Sequence, residues 1–335
     1  MSKILLLAGF PRSGTTWFAN LINAHPNVIY RHELIGRNHH LLGRELFYAL
    51  KTNFGLSDSQ HEKVLNFIAD AHVDTDKPPF FKKNYKPLRY PRFHHYAWLV
   101  TKVCSPLNGI YKNLFSLDEM SDVNYLIKET RSLSNFDSMI AGLRASTILF
   151  LVRKPEGSIA SHISGIKKGS MDNISEENKR RWFHSPEFQN STVSHEYSEE
   201  KMVAMSNAEF LSINWLLYHE KIVDLYQKYP HAKICIYDEF VMNTHEHVAR
   251  LFKQVGLDNS QNVTDFIDES SSVTVRPKNA LQRDSSDTFY SVYREKGFDH
   301  DSWKTVLTDA EKTVIKHHTS IIYDQIRQLA QGKSN

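Results

Sequence analysis

The segment AGFPRSGTTW, residues 8 to 17, has residue types and spacing that could bind phosphate. Two glycines, Gly9 and Gly14, flank four residues, and the hydroxyl residues Thr15 and Thr16 follow. This arrangement fits the pattern G-x-x-x-x-G-K-[ST], except that Thr15 stands at the lysine position. Backbone N–H groups of such a loop, together with the N-terminus of the next helix, form an anion site. The segment predicts a phosphate site; the alternative is a tight strand-to-helix turn that contains glycine.

Arg12, inside this loop, is a cation that could act where the lysine is missing. In nucleoside triphosphatases the loop lysine reaches the outer phosphates, and the loop Ser or Thr holds magnesium with an acidic partner from another strand. A guanidinium has a planar fork of donors and could bind a terminal oxyanion without a metal. Because this short motif departs from the pattern at one position, the prediction of a phosphate site needs support from a second segment.

The segment LVRKPEGSIASHI provides that second site. Arg153 follows an apolar run, Pro155 comes two residues later, and Ser161 follows after five more. This spacing predicts an arginine in a turn and a serine one to two turns into the next helix, where both could hold a second phosphate. An arginine after a strand is often a solvated residue at a helix start. The two segments together favour phosphate binding.

The elements that must position these residues follow from hydrophobic patterning. Short apolar runs are typical of buried strands in a parallel sheet, and Trp17, Phe18, Leu21 and Ile22 have helical spacing before Pro26. Strands are predicted at KILLLAG (3–9), YLIKE (125–129), TILFLVR (147–153) and in AKICIYDEF, alternating with helices. This alternation predicts an α/β fold, a three-layer α/β/α sandwich around a central parallel sheet.

Composition limits the class of protein. The 335 residues include 41 Lys and Arg and 38 Asp and Glu, a formal net charge of +3, which argues against a nucleic-acid partner. Cys104 and Cys235 stand far apart and suggest neither a zinc site nor a disulfide framework. We find no run long enough for a transmembrane helix and no signal peptide. The expected location is cytoplasmic.

Two regions do not continue the strand and helix alternation. Residues 37–120 contain KPPFFKKNYKPLRYPRFHHYAW, where aromatic, proline and basic residues interleave. This region could line an acceptor pocket or touch a membrane surface, or it could be a proline-stiffened connection packed on the core. Residues 167–205 are polar with little periodicity, so a solvated loop is expected, with a mobile lid as the alternative.

The two phosphate motifs resemble those of sulfotransferases that use 3′-phosphoadenosine 5′-phosphosulfate (PAPS). In that family P-[KR]-S-G-T-T-W binds the 5′-phosphosulfate, and R-x-P-x₅-S binds the 3′-phosphate. The resemblance implies a single sulfotransferase domain over residues 1–335, with substrate-region insertions at about 37–120 and 167–205. It assigns the 5′ side to Pro11, Arg12, Ser13, Gly14, Thr15 and Thr16, the adenine to Trp17, and the 3′-phosphate to Arg153 and Ser161.

Two further segments resemble the same family. IYDEF, residues 236 to 240, is similar to a Y-E-D segment that offers Tyr237 to the base. YREKGFDHDSWK is a looser match to the R-K-G-x-x-G-x-W-K loop that closes over the 3′-phosphate, and it implies contacts from Lys296 and Gly297. Glu295 stands at the arginine position of that loop, and Arg294 comes one residue early.

The acceptor must lose a proton, so the reaction needs a base. The cytosolic branch of the family uses a histidine in K-T-H, but Thr130 stands at that position in IKETRS. The branches that act on protein tyrosine and on carbohydrates use a glutamate after the first helix, which implies Glu33 in AHPNVIYRHEL as the base. Glu129 and His32 are the alternative bases. Glu33 could instead be a surface carboxylate paired with a nearby arginine.

The resemblance implies in-line transfer of a sulfuryl group to a hydroxyl or amine of a small-molecule, lipid or carbohydrate acceptor. It implies PAPS as co-substrate, 3′,5′-adenosine bisphosphate (PAP) as product and no metal, because a sulfuryl group carries less charge than a phosphoryl group. Two alternatives stay open from the residues alone. One is a kinase with an atypical phosphate loop, and the other is a non-catalytic protein that binds the donor.

Overall fold

The computed structural model describes residues 3–36, 38–51, 56–117, 123–130, 135–271 and 301–332. The chain divides into two compact units. Unit 1 comprises Met1–Gly9, Gly14–Leu149 and Glu239–Phe298, and unit 2 comprises Phe10–Ser13, Phe150–Asp238 and Asp299–Asn335. That residues 1–335 form one sulfotransferase domain stays a prediction.

Strands and helices alternate along much of the described chain. The strands are β1 Lys3–Gly9, β2 Val28–His32, β3 Asn124–Glu129, β4 Thr147–Val152 and β5 Ala232–Ile236. The helices are α1 Thr15–Asn23, α2 Arg44–Lys51, α3 Asp58–Ala69, α4 Pro91–Val103, α5 Asn108–Phe115, α6 Phe136–Leu143, α7 Pro155–Lys167, α8 Glu176–Phe183, α9 Pro186–Gln189, α10 Glu199–Ala204, α11 Asn207–Lys228, α12 Tyr237–Met242, α13 Thr244–Val255, α14 Gln261–Ser271, α15 Trp303–Val306 and α16 Asp309–Gly332.

The five strands form one sheet in the order β2-β3-β1-β4-β5. β3 pairs in parallel with both neighbours, so that Leu126 lies opposite Leu5 of β1 and opposite Tyr30 of β2. All six residues of β4 are buried, as are Ile4 to Gly9 of β1, which is typical of strands covered on both faces. The predicted α/β fold with a central parallel sheet is confirmed.

The strand order explains where a ligand is expected. The connections after the neighbouring strands β1 and β4 leave in opposite directions along the sheet, toward β2 and toward β5. In open α/β sheets in general, ligands bind at the carboxyl ends of strands where the strand order reverses. The two predicted phosphate segments directly follow β1 and β4.

In unit 1 the region after residue 37 is helical for much of its length. Helices α2 to α5 fall within it, and some of its rings are buried, including Phe80, Tyr111 and Phe115. Other rings are exposed, including Tyr90 and Phe93. The expected packing of aromatic rings on a core therefore holds for part of this region.

In unit 2 the solvated loop expected over residues 167–205 is wrong, because the region contains α8, α9 and α10. Polar residues there begin helices: the hydroxyls of Ser175, Ser185 and Ser198 each accept a hydrogen bond from a backbone N–H three residues later. Serine is a favoured N-cap for this reason. Buried apolar residues form a small core of their own with α11: Phe188, Met202, Met205, Phe210 and Ile213.

A membrane-crossing helix is not found in the part of the chain that the structure describes, where none is both long and apolar enough. Both cysteines are free thiols, with Cys104 exposed and Cys235 buried.

Candidate active site

The glycine loop joins β1 to α1 through backbone conformations that its sequence permits. Gly14 is the N-cap of α1 with φ 88°, a left-handed conformation that glycine adopts at little cost. Arg12 also has a positive φ, 71°, and this is unfavourable for a residue with a Cβ atom. The Ser13 N–H donates to the carbonyl of Phe10 at 3.0 Å and closes a turn around Arg12. Strain held by a tight turn is typical of binding loops.

In unit 2 the two phosphate segments meet through their side chains. Arg12 Nε donates to Ser161 Oγ at 3.2 Å, across 149 positions of sequence. Arg153 Nη1 donates to the backbone carbonyl of Arg12 at 3.1 Å. We call Arg12, Arg153 and Ser161 the arginine cluster. The cluster sets one guanidinium against a hydroxyl and the other against the backbone of the first arginine, an arrangement suited to a ligand with several anionic oxygens.

Arg153 is surrounded by Tyr237 and by residues that the sequence analysis did not select, Gly157 and Asp238. Gly157, in the first turn of α7, has no room for a side chain, since a Cβ atom there would lie 2.8 Å from Arg153 Nε. The Asp238 carboxylate accepts a hydrogen bond from the Lys154 N–H at 3.1 Å and anchors the turn after β4. The Arg153 guanidinium lies 5.0 Å from the centre of the Tyr237 ring, a cation–π contact. Glycine two residues after the proline of R-x-P is the one signal that could have identified Gly157.

Three buried polar atoms of unit 2 indicate whether an anion would fit the arginine cluster. Ser13 Oγ, Arg153 Nε and Ser158 Oγ are buried and have no hydrogen-bond partner among the described residues. All three can donate a hydrogen bond. Buried donors without acceptors cost free energy, and an anionic ligand with several oxygens offers such acceptors. The residues present therefore fit a phosphate-like ligand.

His162 follows Ser161 in the chain, and its pKa is affected by the charge of Arg12. Burial, together with the nearby positive charge of Arg12, lowers the pKa of its imidazole to about 4. The ring is therefore neutral at physiological pH. The sequence analysis did not select His162, and no motif pointed to it.

In unit 1 the predicted base, Glu33, lies at the end of β2 in a strained turn. Its φ is 46°, and it is 6% exposed. Its N–H donates to the Lys128 carbonyl at 2.9 Å, and its own carbonyl accepts from Asn38 N at 3.1 Å. A left-handed conformation in a glutamate costs about 1–3 kcal/mol, which these contacts must offset. Glu33 is not the surface carboxylate that was the alternative.

The Glu33 carboxylate accepts two hydrogen bonds from the end of β3. Lys128 Nζ and Thr130 Oγ1 each lie 3.1 Å from its Oε1 atom. Lys128 is 3% exposed, so this ion pair is buried. Because β2 and β3 are parallel neighbours, their carboxyl ends meet at one edge of the sheet. Thr130, at the position of the family's histidine, thus contacts the predicted base.

Glu129, the first alternative base, has a different role in the turn. Its Oε1 accepts from Ile35 N at 2.5 Å, and its Oε2 accepts from Gly36 N at 3.1 Å. The side chain is fully buried, and burial raises the pKa of its carboxyl to about 7, with the charge of Glu33 adding to the rise. Both oxygens thus anchor the backbone that follows Glu33. We call Glu33, Lys128 and Glu129 the carboxylate cluster.

His32, the second alternative base, is engaged with a neighbour on β2. Its Nδ1 lies 2.8 Å from the Tyr30 hydroxyl oxygen, and its Nε2 lies 3.8 Å from Glu33 Oε1. The histidine therefore lies beside the carboxylate cluster, within reach of Glu33.

The structure also describes most of the other residues that were predicted to contact the donor. Thr15 and Trp17 are buried on α1 of unit 1, and the Trp17 indole N–H donates to Ser270 Oγ at 3.2 Å. Thr16 and Pro11 are partly buried. Lys296 and Gly297 lie outside the described residues, as do Arg294 and Glu295. The assignments of these residues to a ligand stay predictions.

Comparison with known proteins assigns the family. The model of the sulfotransferase family matches residues 5–261, so the chain belongs to that family. Similar solved structures include a sulfotransferase domain from the curacin biosynthetic pathway (12% identity, 96% of this chain and 98% of that chain, TM-score 0.47). They also include the mouse sulfotransferase SULT7A1 complexed with PAP (10% identity, 99% of this chain and 89% of that chain, TM-score 0.44). A third is retinol dehydratase in complex with androsterone and PAP (11% identity, 95% of this chain and 80% of that chain, TM-score 0.42). No curated protein matches the chain.

Proposed function

We propose that this sulfotransferase moves the sulfuryl group of PAPS to a hydroxyl or amine, with Glu33 as the general base. The observation that carries the proposal is the arginine cluster: the Arg12 guanidinium contacts Ser161, the Arg153 guanidinium contacts the Arg12 backbone, and Ser13 Oγ and Arg153 Nε are buried donors without a partner. A donor with phosphate groups at its 3′ and 5′ positions supplies acceptors of the right charge. The family membership supports the same reaction.

Each residue of the arginine cluster has a role in this proposal. Arg153 and Ser161 hold the 3′-phosphate, and Tyr237, beneath the Arg153 guanidinium, contacts the adenine base. Arg12 and the amides of the glycine loop hold the 5′ side. Because charge develops on the leaving oxygen as its bond to sulfur breaks, Arg12 stabilises the transition state more than the ground state.

The carboxylate cluster supplies the proton acceptor. When bound, the donor provides an activated sulfuryl group; the acceptor's oxygen or nitrogen forms the new bond to sulfur, and PAP leaves. Glu33 takes the proton that the acceptor loses. Lys128 and Thr130 orient the carboxylate, and Glu129 anchors the turn that carries it.

Glu33 is favoured over Glu129 by what each carboxylate contacts. Both Glu129 oxygens accept hydrogen bonds from backbone N–H groups, and the side chain is fully buried. Glu33 accepts from side chains, which can move during a reaction. A carboxylate that must exchange a proton with an acceptor cannot also be a fixed anchor of the backbone.

Calorimetry with PAP, followed by an acceptor screen with labelled PAPS, tests the proposal. We expect PAP to bind with a 1:1 stoichiometry and labelled sulfate to appear on at least one alcohol, phenol or amine. We expect transfer to continue when a chelator is added, since the proposed reaction uses no metal. Tight binding of a nucleoside triphosphate in place of PAP, with magnesium-dependent phosphate transfer, would contradict it.

Variants at Arg12 separate binding from chemistry. Arg12→Ala should lower kcat by a larger factor than it raises the dissociation constant of PAP. The reverse pattern would make Arg12 an ordinary ligand of the phosphate. The cytoplasmic location and the small-molecule, lipid or carbohydrate acceptor stay proposals that depend on this reaction.

A further inference from the structure

The helical hairpin of α4 and α5 in unit 1 exposes an unusual amount of apolar side chain. Eleven large hydrophobic residues are exposed among those that the structure describes, and eight of them lie between Tyr90 and Leu114. Single exposed hydrophobic residues are common on protein surfaces, whereas a concentrated patch usually marks an interaction site. We call this surface the hairpin face.

On α4 the apolar residues line one side of the helix. Phe93, Tyr96, Val100 and Val103 follow the spacing i, i+3, i+7 and i+10, and Val103 is 91% exposed. This spacing places them on one face of a helix. In an ordinary surface helix that face would be turned inward, toward the core.

The opposite side of α4 is polar and is turned inward. His94, His95 and Thr101 are buried. His94 Nε2 lies 2.8 Å from the Tyr111 hydroxyl, and this hydroxyl donates to Asp76 Oδ2 at 2.8 Å. Burial, together with the charge of Arg31, lowers the pKa of His94 to about 3. A buried network of polar groups therefore fixes the orientation that exposes the apolar side.

Helix α5 continues the same surface. Ile110 and Leu114, one turn apart, are exposed, while Tyr111 and Phe115 of the same helix are buried. The turn between the two helices carries the exposed Cys104. The hairpin face thus extends over both helices.

The segment that carries the hairpin face is rich in cationic side chains. Residues 77–117 contain eight Lys and Arg and no Asp or Glu, in a chain with a net charge of only +3. Lys82, Lys86, Arg89 and Arg92 are exposed before and at the start of α4. Lys102 and Lys112 are also exposed, with the carboxylates of Asp74 and Asp70 as partners.

We propose that the hairpin face docks on the surface of an anionic lipid bilayer. Apolar and aromatic side chains would enter the boundary between headgroups and acyl chains, and the flanking lysines and arginines would contact lipid phosphates and carboxylates. Docking of a second copy through the same face is disfavoured, because it would bring two sets of cations together. The proposal does not depend on the reaction that the protein catalyses.

Sedimentation with vesicles tests the proposal on the full chain. We expect binding to vesicles of phosphatidylcholine mixed with phosphatidylserine, weaker binding to phosphatidylcholine alone, and a loss of binding as salt is raised. Val103→Asp should weaken binding about tenfold, and Arg89→Glu should do the same, since each removes one of the two contributions. Both residues are exposed, so both variants should fold.

Matched variants outside the hairpin face serve as controls. Ile321→Asp removes a residue of α16 that is 84% exposed, and Lys253→Glu reverses an exposed charge on α13. We expect both to bind phosphatidylserine vesicles like the wild type. Equal binding by Val103→Asp and the wild type, or no binding of the wild type to these vesicles, would overturn the proposal. The proposal would also be overturned if the wild type did not bind vesicles but formed a dimer in sedimentation velocity, and Val103→Asp abolished that dimer.

Cys104 provides an independent readout. A polarity-sensitive fluorophore attached to this exposed thiol should become brighter and shift to the blue on binding, and lipids with brominated acyl chains should quench it. Cys235 is buried and should not react with the label. Vesicle binding without any change at Cys104 would show that another surface makes the contact, and it would overturn the assignment to the hairpin face.

Discussion

The arginine cluster of unit 2 and the carboxylate cluster of unit 1 have the same origin but different internal contacts. Each joins residues that follow two neighbouring parallel strands, β1 with β4 and β2 with β3. In the carboxylate cluster, Glu33 is paired with the buried Lys128 ammonium, and Glu129 accepts from backbone N–H groups. In the arginine cluster, Arg153 donates to a backbone carbonyl and keeps a buried Nε donor without a partner.

This difference separates two tasks. A buried ion pair whose partners both belong to the chain can orient a reactive carboxylate. Buried cationic donors that lack acceptors are stabilised by an anion that binds them. Variants of the carboxylate cluster should therefore change turnover or stability, and variants of Arg153 in the arginine cluster should change donor affinity.

The largest effect is expected for Glu33→Gln. Glutamine keeps the size of the side chain but cannot take a proton, so turnover should fall by roughly 10²-fold or more while PAP affinity stays unchanged. Transfer of labelled sulfuryl groups and calorimetry with PAP measure the two quantities. Glu62→Gln, an exposed carboxylate on α3, is the matched control. Near wild-type turnover in Glu33→Gln, with loss in Glu129→Gln or in a His32 variant, would assign the base elsewhere.

Arg153→Ala should weaken PAP binding by about 2–4 kcal/mol, the scale for the loss of a charged hydrogen-bond donor in a desolvated site. Calorimetry measures the change, and thermal unfolding verifies that the variant is folded. Arg181→Ala, on α8 of the same unit and 73% exposed, should bind PAP like the wild type. Unchanged affinity in folded Arg153→Ala would remove this residue from the donor site.

Glu129→Gln should change the pH dependence of stability. Burial raises the pKa of this carboxyl to about 7 from a usual value of 4.5, so its contribution to stability is present below pH 4.5 and is lost as pH rises through 7. The amide cannot ionise, so the variant should gain stability relative to the wild type between pH 5 and pH 8, by about 1–3 kcal/mol. Urea denaturation at the two pH values measures the difference. A constant difference would show that Glu129 does not titrate in this range.

The smallest effect is expected for Gly157→Ala. The new methyl group would lie 2.8 Å from Arg153 Nε and must displace the guanidinium, so PAP affinity should fall by about 1 kcal/mol. Alanine favours a helix, so the fold should not weaken. Gly109→Ala on α5, where a Cβ atom has nothing within 4 Å, is the matched control. Equal PAP affinity in both variants would mean that Arg153 adapts without cost.

Local patterns were sufficient to predict the strands at 3–9, 125–129 and 147–153, because a short apolar run is visible in a few consecutive residues. The same logic failed over residues 167–205. Serines that cap helices are polar in the same way as serines in loops, and the buried Phe188 and Met202 lie in a polar context. Burial there depends on contacts with α11, which periodicity within the segment does not reveal.

For this protein the sequence by itself was enough to predict the parallel-sheet fold, the loop that ends at Gly14 and the two segments that carry Arg12 and Arg153. Spacing along the chain is enough for these features because each depends on a few consecutive residues. Only the tertiary structure decided that Arg12 contacts Ser161, that Lys128 pairs with Glu33, and that Glu129 anchors a turn instead of facing an acceptor. These contacts join residues 94 to 149 positions apart, and they form because parallel strands bring their carboxyl ends to one edge of the sheet.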